Sequence, residues 1–286
     1  MTIRTDNQIP TTDPRPLSFT DLTACLELSD NREWPLEDRK WEFLLRVGQG
    51  YGIVDADGKL AASAVLTHFG DFAAISMVLV AAKYNRRGLG TRIMRHVMAE
   101  AGDSVATLYA TPQGQPLYEK LGFQATSGCE VLTGAFTGRG AGTTRPAAAG
   151  DLPAILRLDA EVCGVDRTHV VSRLPEFADR IRVIERDGEI TGYAAQTRAL
   201  SQNGSNQVGP VIAATDAAAR ALISDIAIDA GGQTRIDLDT ARPDLIEWAT
   251  QNGLTPVFSC KAMVVGGATL PGDRGRLYAP ILQAIG

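Results

Sequence analysis

The chain has 286 residues, 44% of them hydrophobic and 21% charged, with a formal net charge of −5. That length suits one large domain or two ordinary ones, and the acidic balance argues against a nucleic-acid binder, whose affinity rests on Lys and Arg set against phosphates. No apolar run of about 18 residues is present to span a membrane, and the polar opening MTIRTDNQIPTTDPRP lacks the apolar segment of a secretory signal.

Taken in order, residues 18–29 and 38–47 show the apolar spacing of helices. YGIVDADGKLAASAVLTHF reads as a hairpin turning at Asp57-Gly58, and FAAISMVLVAA reads as a buried strand. TRIMRHVMAEAG places Ile93, Met94, Val97 and Met98 on one helical face and stops at Gly102. SVATLYA is a strand. PQGQPLYEKLG is a helix, with Thr111 as cap, Pro112 in the first turn and Gly122 at the end. FQATSGCEVLTG closes the unit as a strand. A helical preface followed by β–β–β–α–β–α–β implies a mixed α/β fold, a sheet covered by helices.

The pattern then recurs at an offset of about 130 residues, which marks an internal duplication. RPLSFTDL from Arg15 matches RPAAAGDL from Arg145; turn glycine Gly58 matches Gly188; Gly122 and Cys129 match Gly253 and Cys260. Two copies of one fold are therefore expected, residues 1–137 and 143–286, the second running to about residue 266 before a C-terminal tail. The Gly/Thr-rich TGRGAGTT joins them. The four cysteines, Cys25, Cys129, Cys163 and Cys260, and the histidines His68, His96 and His169 are scattered without a C-x-x-C pair. No metal site is expected from such spacing, and reduced thiols in a cytoplasmic protein are the expectation.

KYNRRGLGTRIM, residues 83–94, joins a strand to a helix through Gly88-Leu89-Gly90. Such a junction holds an anion on backbone N–H groups at a helix N-terminus. It is not a Walker loop, because no Lys-Ser or Lys-Thr follows, and the third glycine of a dinucleotide fingerprint is replaced by Ile93. Glycines let the backbone approach phosphates, the helix dipole favours the charge, and Arg86 and Arg87 add cations.

Followed by PLYEKLGF, this junction resembles the Gcn5-related N-acetyltransferase (GNAT) superfamily, with its [RQ]-x-x-G-x-[GA] loop and L-Y-x-x-x-G-F helix. The resemblance spans about Leu17 to Gly134. It implies two tandem GNAT folds, each with a mixed, mostly antiparallel sheet flanked by helices. It also implies an acetyl-CoA pyrophosphate on Asn85, Arg86, Arg87, Gly88, Leu89, Gly90 and Thr91, and pantetheine along Met77, Val78, Leu79 and Val80. Asn85 stands where the family has Arg or Gln, which passes the outer phosphate contact to Arg86, and Thr111 stands where many members have Asn near the cofactor.

Amide formation from a thioester needs a neutral amine, a stabilised oxyanion and a proton for the leaving thiolate. Tyr118 is the general-acid candidate for direct transfer through a tetrahedral intermediate, and a backbone N–H near Leu79 or Val80 would meet the oxyanion. The general base is open among His68, Asp71, Glu33, Glu42 and a water chain. Trp34, Arg39, Trp41 and Glu42 fall where acceptor pockets of the family are built, although the tryptophans equally suit helix packing. In the second copy the span from Ile212 to Leu222 is shorter than that from Val80 to Ile93, TDAAAR replaces the glycine loop, and Ala249 replaces the tyrosine. That half resembles the divergent C-terminal half of tandem GNAT proteins. The expected function is acetyl-CoA-dependent acetylation of a primary amine on a small molecule or peptide, in a monomer or homodimer without nucleic-acid or membrane partners. A non-catalytic acetyl-CoA sensor or structural protein is the alternative, and an acyl group larger than acetyl a third reading.

Overall fold

The computed structural model describes residues 8–35, 37–198 and 204–286. These divide into two compact units, one ending at Ala106 and one running from Thr107 to Gly286.

The first unit holds β1 (Arg15–Leu17), a 3-10 turn, α1 (Leu22–Asn31), α2 (Asp38–Val47), β2 (Gln49–Val54), β3 (Leu60–Phe69), β4 (Phe72–Val80), a second 3-10 turn (Ala82–Tyr84) and α3 (Leu89–Glu100). The strands pair antiparallel in the order β1-β2-β3-β4. Nearly every residue of β3 is buried, as befits a strand covered on both faces. The cover is supplied by Cys25 and Leu28 of α1, Trp41 and Leu44 of α2, and Ile93, Met94 and Val97 of α3. Each buried aliphatic side chain contributes about 1.5–3 kcal/mol to the fold. The opening turn is set by Ser18 and Asp21: Ser18 N–H donates to the Asp21 carboxylate at 2.9 Å, and Arg15 pairs with the same carboxylate at 2.5 Å. The short strand β1 is absent from the sequence expectation, because three residues are too few for a period to show.

The second unit begins within β5 (Val105–Ala110) and continues with α4 (Gln115–Lys120), β6 (Phe123–Ala135), β7 (Arg145–Pro146), α5 (Leu152–Cys163), α6 (Thr168–Val171), α7 (Leu174–Phe177), β8 (Arg180–Arg186), β9 (Glu189–Thr197), β10 (Asn206–Ala213), α8 (Asp216–Ala230), β11 (Gln233–Asp239), α9 (Pro243–Gln251), β12 (Thr255–Val265) and β13 (Leu277–Ala279). The duplication is visible in detail. Arg145 pairs with Asp151 at 2.6 Å and Ala148 N–H donates to Asp151 at 2.7 Å, which repeats the arrangement at Arg15, Ser18 and Asp21.

Strand order in this unit is β5-β12-β6-β11-β10-β9-β8-β7, with β13 also on β10. The two repeats have exchanged their last strands. β12, the end of the second repeat, lies between β5 and β6 of the first, and β6 pairs in turn with β11 of the second. Residues 137–143, where the sequence places the junction of the repeats, therefore fall inside the second unit. The TGRGAGTT segment is tied down there by Asp225 of α8, whose carboxylate accepts from Ala141 N–H at 2.6 Å, Gly142 N–H at 3.1 Å and the Thr144 hydroxyl at 2.7 Å.

Candidate functional site

β4 does not run regularly into its turn. Ser63 of β3 faces Leu79 and Val65 faces Ser76, so Met77 and Val78 together oppose one residue, a β-bulge. Met77 sits at φ 49°, a left-handed conformation uncommon for a side chain of this size, and the buried Ser63 hydroxyl holds its carbonyl at 2.9 Å. Beyond the bulge Ala81 N–H donates to Ala61, so by strand alternation Val80 N–H points away from β3.

The next turn is held from two sides. Ala82 N–H donates to the Asn31 side chain at 2.8 Å at the end of α1. Asp55, buried in the β2–β3 turn, accepts from Lys83 Nζ at 2.8 Å and from the Tyr84 hydroxyl at 3.3 Å. Its other oxygen accepts from Asp57 and Lys59 N–H groups at 3.0 Å each. Burial pushes the Asp55 carboxyl up, but Lys83 and the two backbone donors outweigh it and hold the group below the usual carboxylate range.

From this fixed entry the chain passes through exposed Asn85, Arg86 at φ 58° and Gly88 at φ 90° into α3. Only glycine adopts that last conformation without strain, and a Cβ at Gly88 would enter open space. Among the described residues no side chain caps α3, and its first amides, at Leu89, Gly90 and Thr91, have no partner within the helix. Leu89 is buried and anchors the helix, while Gly90 and Thr91 are half-buried. Arg92 sends its guanidinium to the carbonyls of Pro10 at 2.7 Å and Thr11 at 2.9 Å, and also to Thr12, fastening the N-terminal segment onto α3. The result is an uncapped helix N-terminus behind two left-handed residues, beside Arg86 and Arg87, and it fits a diphosphate.

Other candidates of this unit are placed as follows. Trp41 is 1% exposed and its indole N–H donates to Ser29 Oγ at 3.0 Å, so it packs α2 on α1. Trp34 is 36% exposed, and its backbone N–H donates to the Ser29 carbonyl at 3.0 Å, which ties both residues to Ser29. Arg39 is half-buried, and Glu42, Glu33, His68 and Asp71 are exposed.

In the second unit Tyr118 is 8% exposed on α4, edge-on to Phe123 with ring centroids 6.1 Å apart. Burial pushes its phenol up to about 12, so it stays protonated across the neutral range. The Thr111 hydroxyl accepts from Gly114 N–H at 3.3 Å and opens the turn that precedes the helix. α4 itself starts at Gln115, three residues beyond the expected first turn at Pro112. The reason is Pro116, which has no N–H to return to Pro112.

The glycine spacing revealed the loop; sequence reasoning did not reveal the bulge at Met77, nor Ser63, Asn31, Asp55, Lys83, Tyr84 or Arg92. A serine in the otherwise apolar LAASAVL was the one local signal. Among the described residues no cluster of three or more His, Cys, Asp or Glu side chains could hold a metal, and no helix is long and apolar enough to cross a membrane.

A model of the acetyltransferase (GNAT) family matches residues 18–123, and a model of an acetyltransferase (GNAT) domain matches residues 155–279. The uncharacterized N-acetyltransferase YitH of Bacillus subtilis (strain 168) is 25% identical over 277 residues, 93% of this chain and 95% of that protein. Among solved structures, a Pyrococcus horikoshii protein described as an acetyltransferase superposes with a TM-score of 0.79 at 18% identity, covering 96% of this chain and 95% of that one. A tandem GNAT protein from the clavulanic acid biosynthesis pathway gives 0.65 at 12% identity, over 91% and 99%. With a GNAT match in each half, the chain belongs to the GNAT superfamily as a tandem protein.

Proposed function

We propose that this protein transfers an acetyl group from acetyl-CoA to a primary amine of a small molecule or peptide. The observation that carries the reading is the uncapped N-terminus of α3, preceded by Arg86 and Gly88 in left-handed conformations. Bound acetyl-CoA supplies a thioester carbonyl open to attack by an amine. The amides of Leu89, Gly90 and Thr91 hold the pyrophosphate charge, and the guanidinium groups of Arg86 and Arg87 reinforce it. Met77 to Val80 hold the pantetheine, and the Val80 N–H, turned from β3, donates to the oxygen as it gains charge.

Tyr118 holds the proton that the departing thiolate requires. Its phenol is a weaker acid than a thiol of ordinary pKa, about 8.5, so it works by position rather than by matched acidity. Trp34 and Arg39 border the amine, with Glu42 exposed on the same helix as Arg39. The C-terminal half binds no acyl donor. The test is steady-state thiol release from acetyl-CoA across a library of primary amines. Turnover with at least one amine class is expected; acetyl-CoA binding without turnover on any amine would instead favour the sensor.

A further inference from the structure

The second repeat carries a cleft of its own, and the chain fills it. β10 and β11 pair in parallel only from Asn206 to Val208, against Thr234 to Ile236. Past that point β13 takes the β10 edge, with Val211 opposite Ala279 and Ile212 opposite Leu277, and it packs against β11 as well. The segment behind it is sunk into the unit: Tyr278, Ala279, Ile281 and Ile285 are each no more than 3% exposed.

Four independent features hold this segment. Gly209 lets it pass, since a Cβ there would collide with the Pro280 carbonyl oxygen and lie 3.0 Å from that of Ile281. The Tyr278 hydroxyl donates to Asp216 at 2.6 Å, under the Arg242 guanidinium, which lies 3.8 Å from the Tyr278 ring centre. Arg167 donates to the Gly286 carbonyl from a buried site, where it also pairs with Asp159 at 2.7 Å. Asp159 accepts in addition from the Tyr193 hydroxyl at 2.5 Å. Upstream, Arg276 reaches Glu161 of α5.

The helix that follows β10 is closed by the same economy. Only Ala214 and Thr215 separate β10 from α8, and Thr215 caps the helix itself, accepting from Ala218 N–H at 3.2 Å. Asp216 sets a carboxylate in the first turn, paired with Arg242 at 3.0 Å, so the place an incoming anion would take is already held by an acidic group. The corresponding N-terminus of α3 has neither feature.

We propose that the split between β10 and β11 is a peptide-binding cleft whose ligand is the chain's own residues 277–286, bound by strand addition. This resident peptide, together with Thr215 and Asp216, makes the second repeat refractory to the acyl donor. The contrast with α3 rests on the functional reading above; the occupancy of the cleft does not.

Hydrogen–deuterium exchange on the full-length chain tests this, alone, with CoA and with Gly209→Val. In the unmodified chain, residues 277–286 and 206–213 exchange slowly and together, as one cooperative unit. Gly209→Val speeds both by about tenfold or more while leaving 82–95 unchanged. Should that variant fail to fold, Tyr278→Phe, which removes only the hydroxyl, serves instead and speeds exchange in 277–286 by about threefold. Added CoA slows 82–95 and leaves 206–224 as it was. Loop-like exchange of 277–286 in the unmodified chain, indifference to both substitutions, or protection of 206–224 by CoA would overturn the proposal. CoA that protects neither region counts against the acyl-donor reading alone, since slow, coupled exchange of the tail still supports its occupancy of the cleft.

Discussion

Tyr118→Phe keeps the edge-on packing against Phe123 and removes one oxygen. If that phenol supplies the proton, kcat falls by about 10- to 1000-fold while CoA affinity holds. An unaltered kcat, with the chemical step shown to be limiting, would give the role to water. Asp55 acts at one remove, through Lys83 and Tyr84, on the entry to the phosphate loop. Asp55→Asn should raise KM for acetyl-CoA by about fivefold or more, with kcat within about twofold, because a loosened entry misplaces the α3 amides without touching the reacting atoms. An equal loss in both parameters would mean damage to the fold. The depressed carboxyl of Asp55 also sets a sign: its stabilisation is present above the unfolded carboxylate pKa and is lost as pH falls through its lower folded value. Gly88 was legible in the sequence because a left-handed turn demands glycine. The left-handed turn of Met77 within its strand was not, because its φ of 49° is imposed by tertiary contacts such as the Ser63 hydroxyl.

Elements were legible where their apolar period was long. α2 follows its expected bounds, and α3 begins two residues ahead of the TRIM pattern because Gly88 already turns the chain. Strand exchange was not legible: β6 and β12 carry the same alternation whichever neighbour they take, and only register in space distinguishes them. The joining segment illustrates the same limit. Its Gly/Thr composition reads as a linker, yet Asp225 orders it with backbone and hydroxyl donors. Burial pushes that carboxyl up, and the Thr144 hydroxyl with the three backbone N–H groups brings it below its ordinary value. Asp225→Ala should therefore lower the stability of the second unit by roughly 2–3 kcal/mol at neutral pH. The wild-type advantage should shrink as pH falls through the depressed pKa, read from urea midpoints of variant and parent between about pH 7 and pH 3. A pH-independent difference would show that packing, not the ionised carboxylate, secures the segment.

At the scale of the molecule, duplication was readable from four matched anchors, and with it the two-copy fold. The consequence of exchange is that neither repeat closes its sheet alone. Residues 1–140 expressed by themselves would contain β6 without β11 or β12, and β5 without β12. Such a fragment has unpaired edges and exposed apolar surface, and is expected to aggregate or to turn over with a raised KM for its amine. A soluble, monomeric fragment with the kcat/KM of the full chain would show that the second repeat is dispensable. One acyl donor is expected to bind per chain, at the α3 loop. Calorimetric titration of the full chain with acetyl-CoA tests it most directly. A single site per chain is expected, abolished by Gly88→Glu, which strains the left-handed turn and places a carboxylate against the phosphates; two equivalent sites, or undiminished binding by Gly88→Glu, would overturn this.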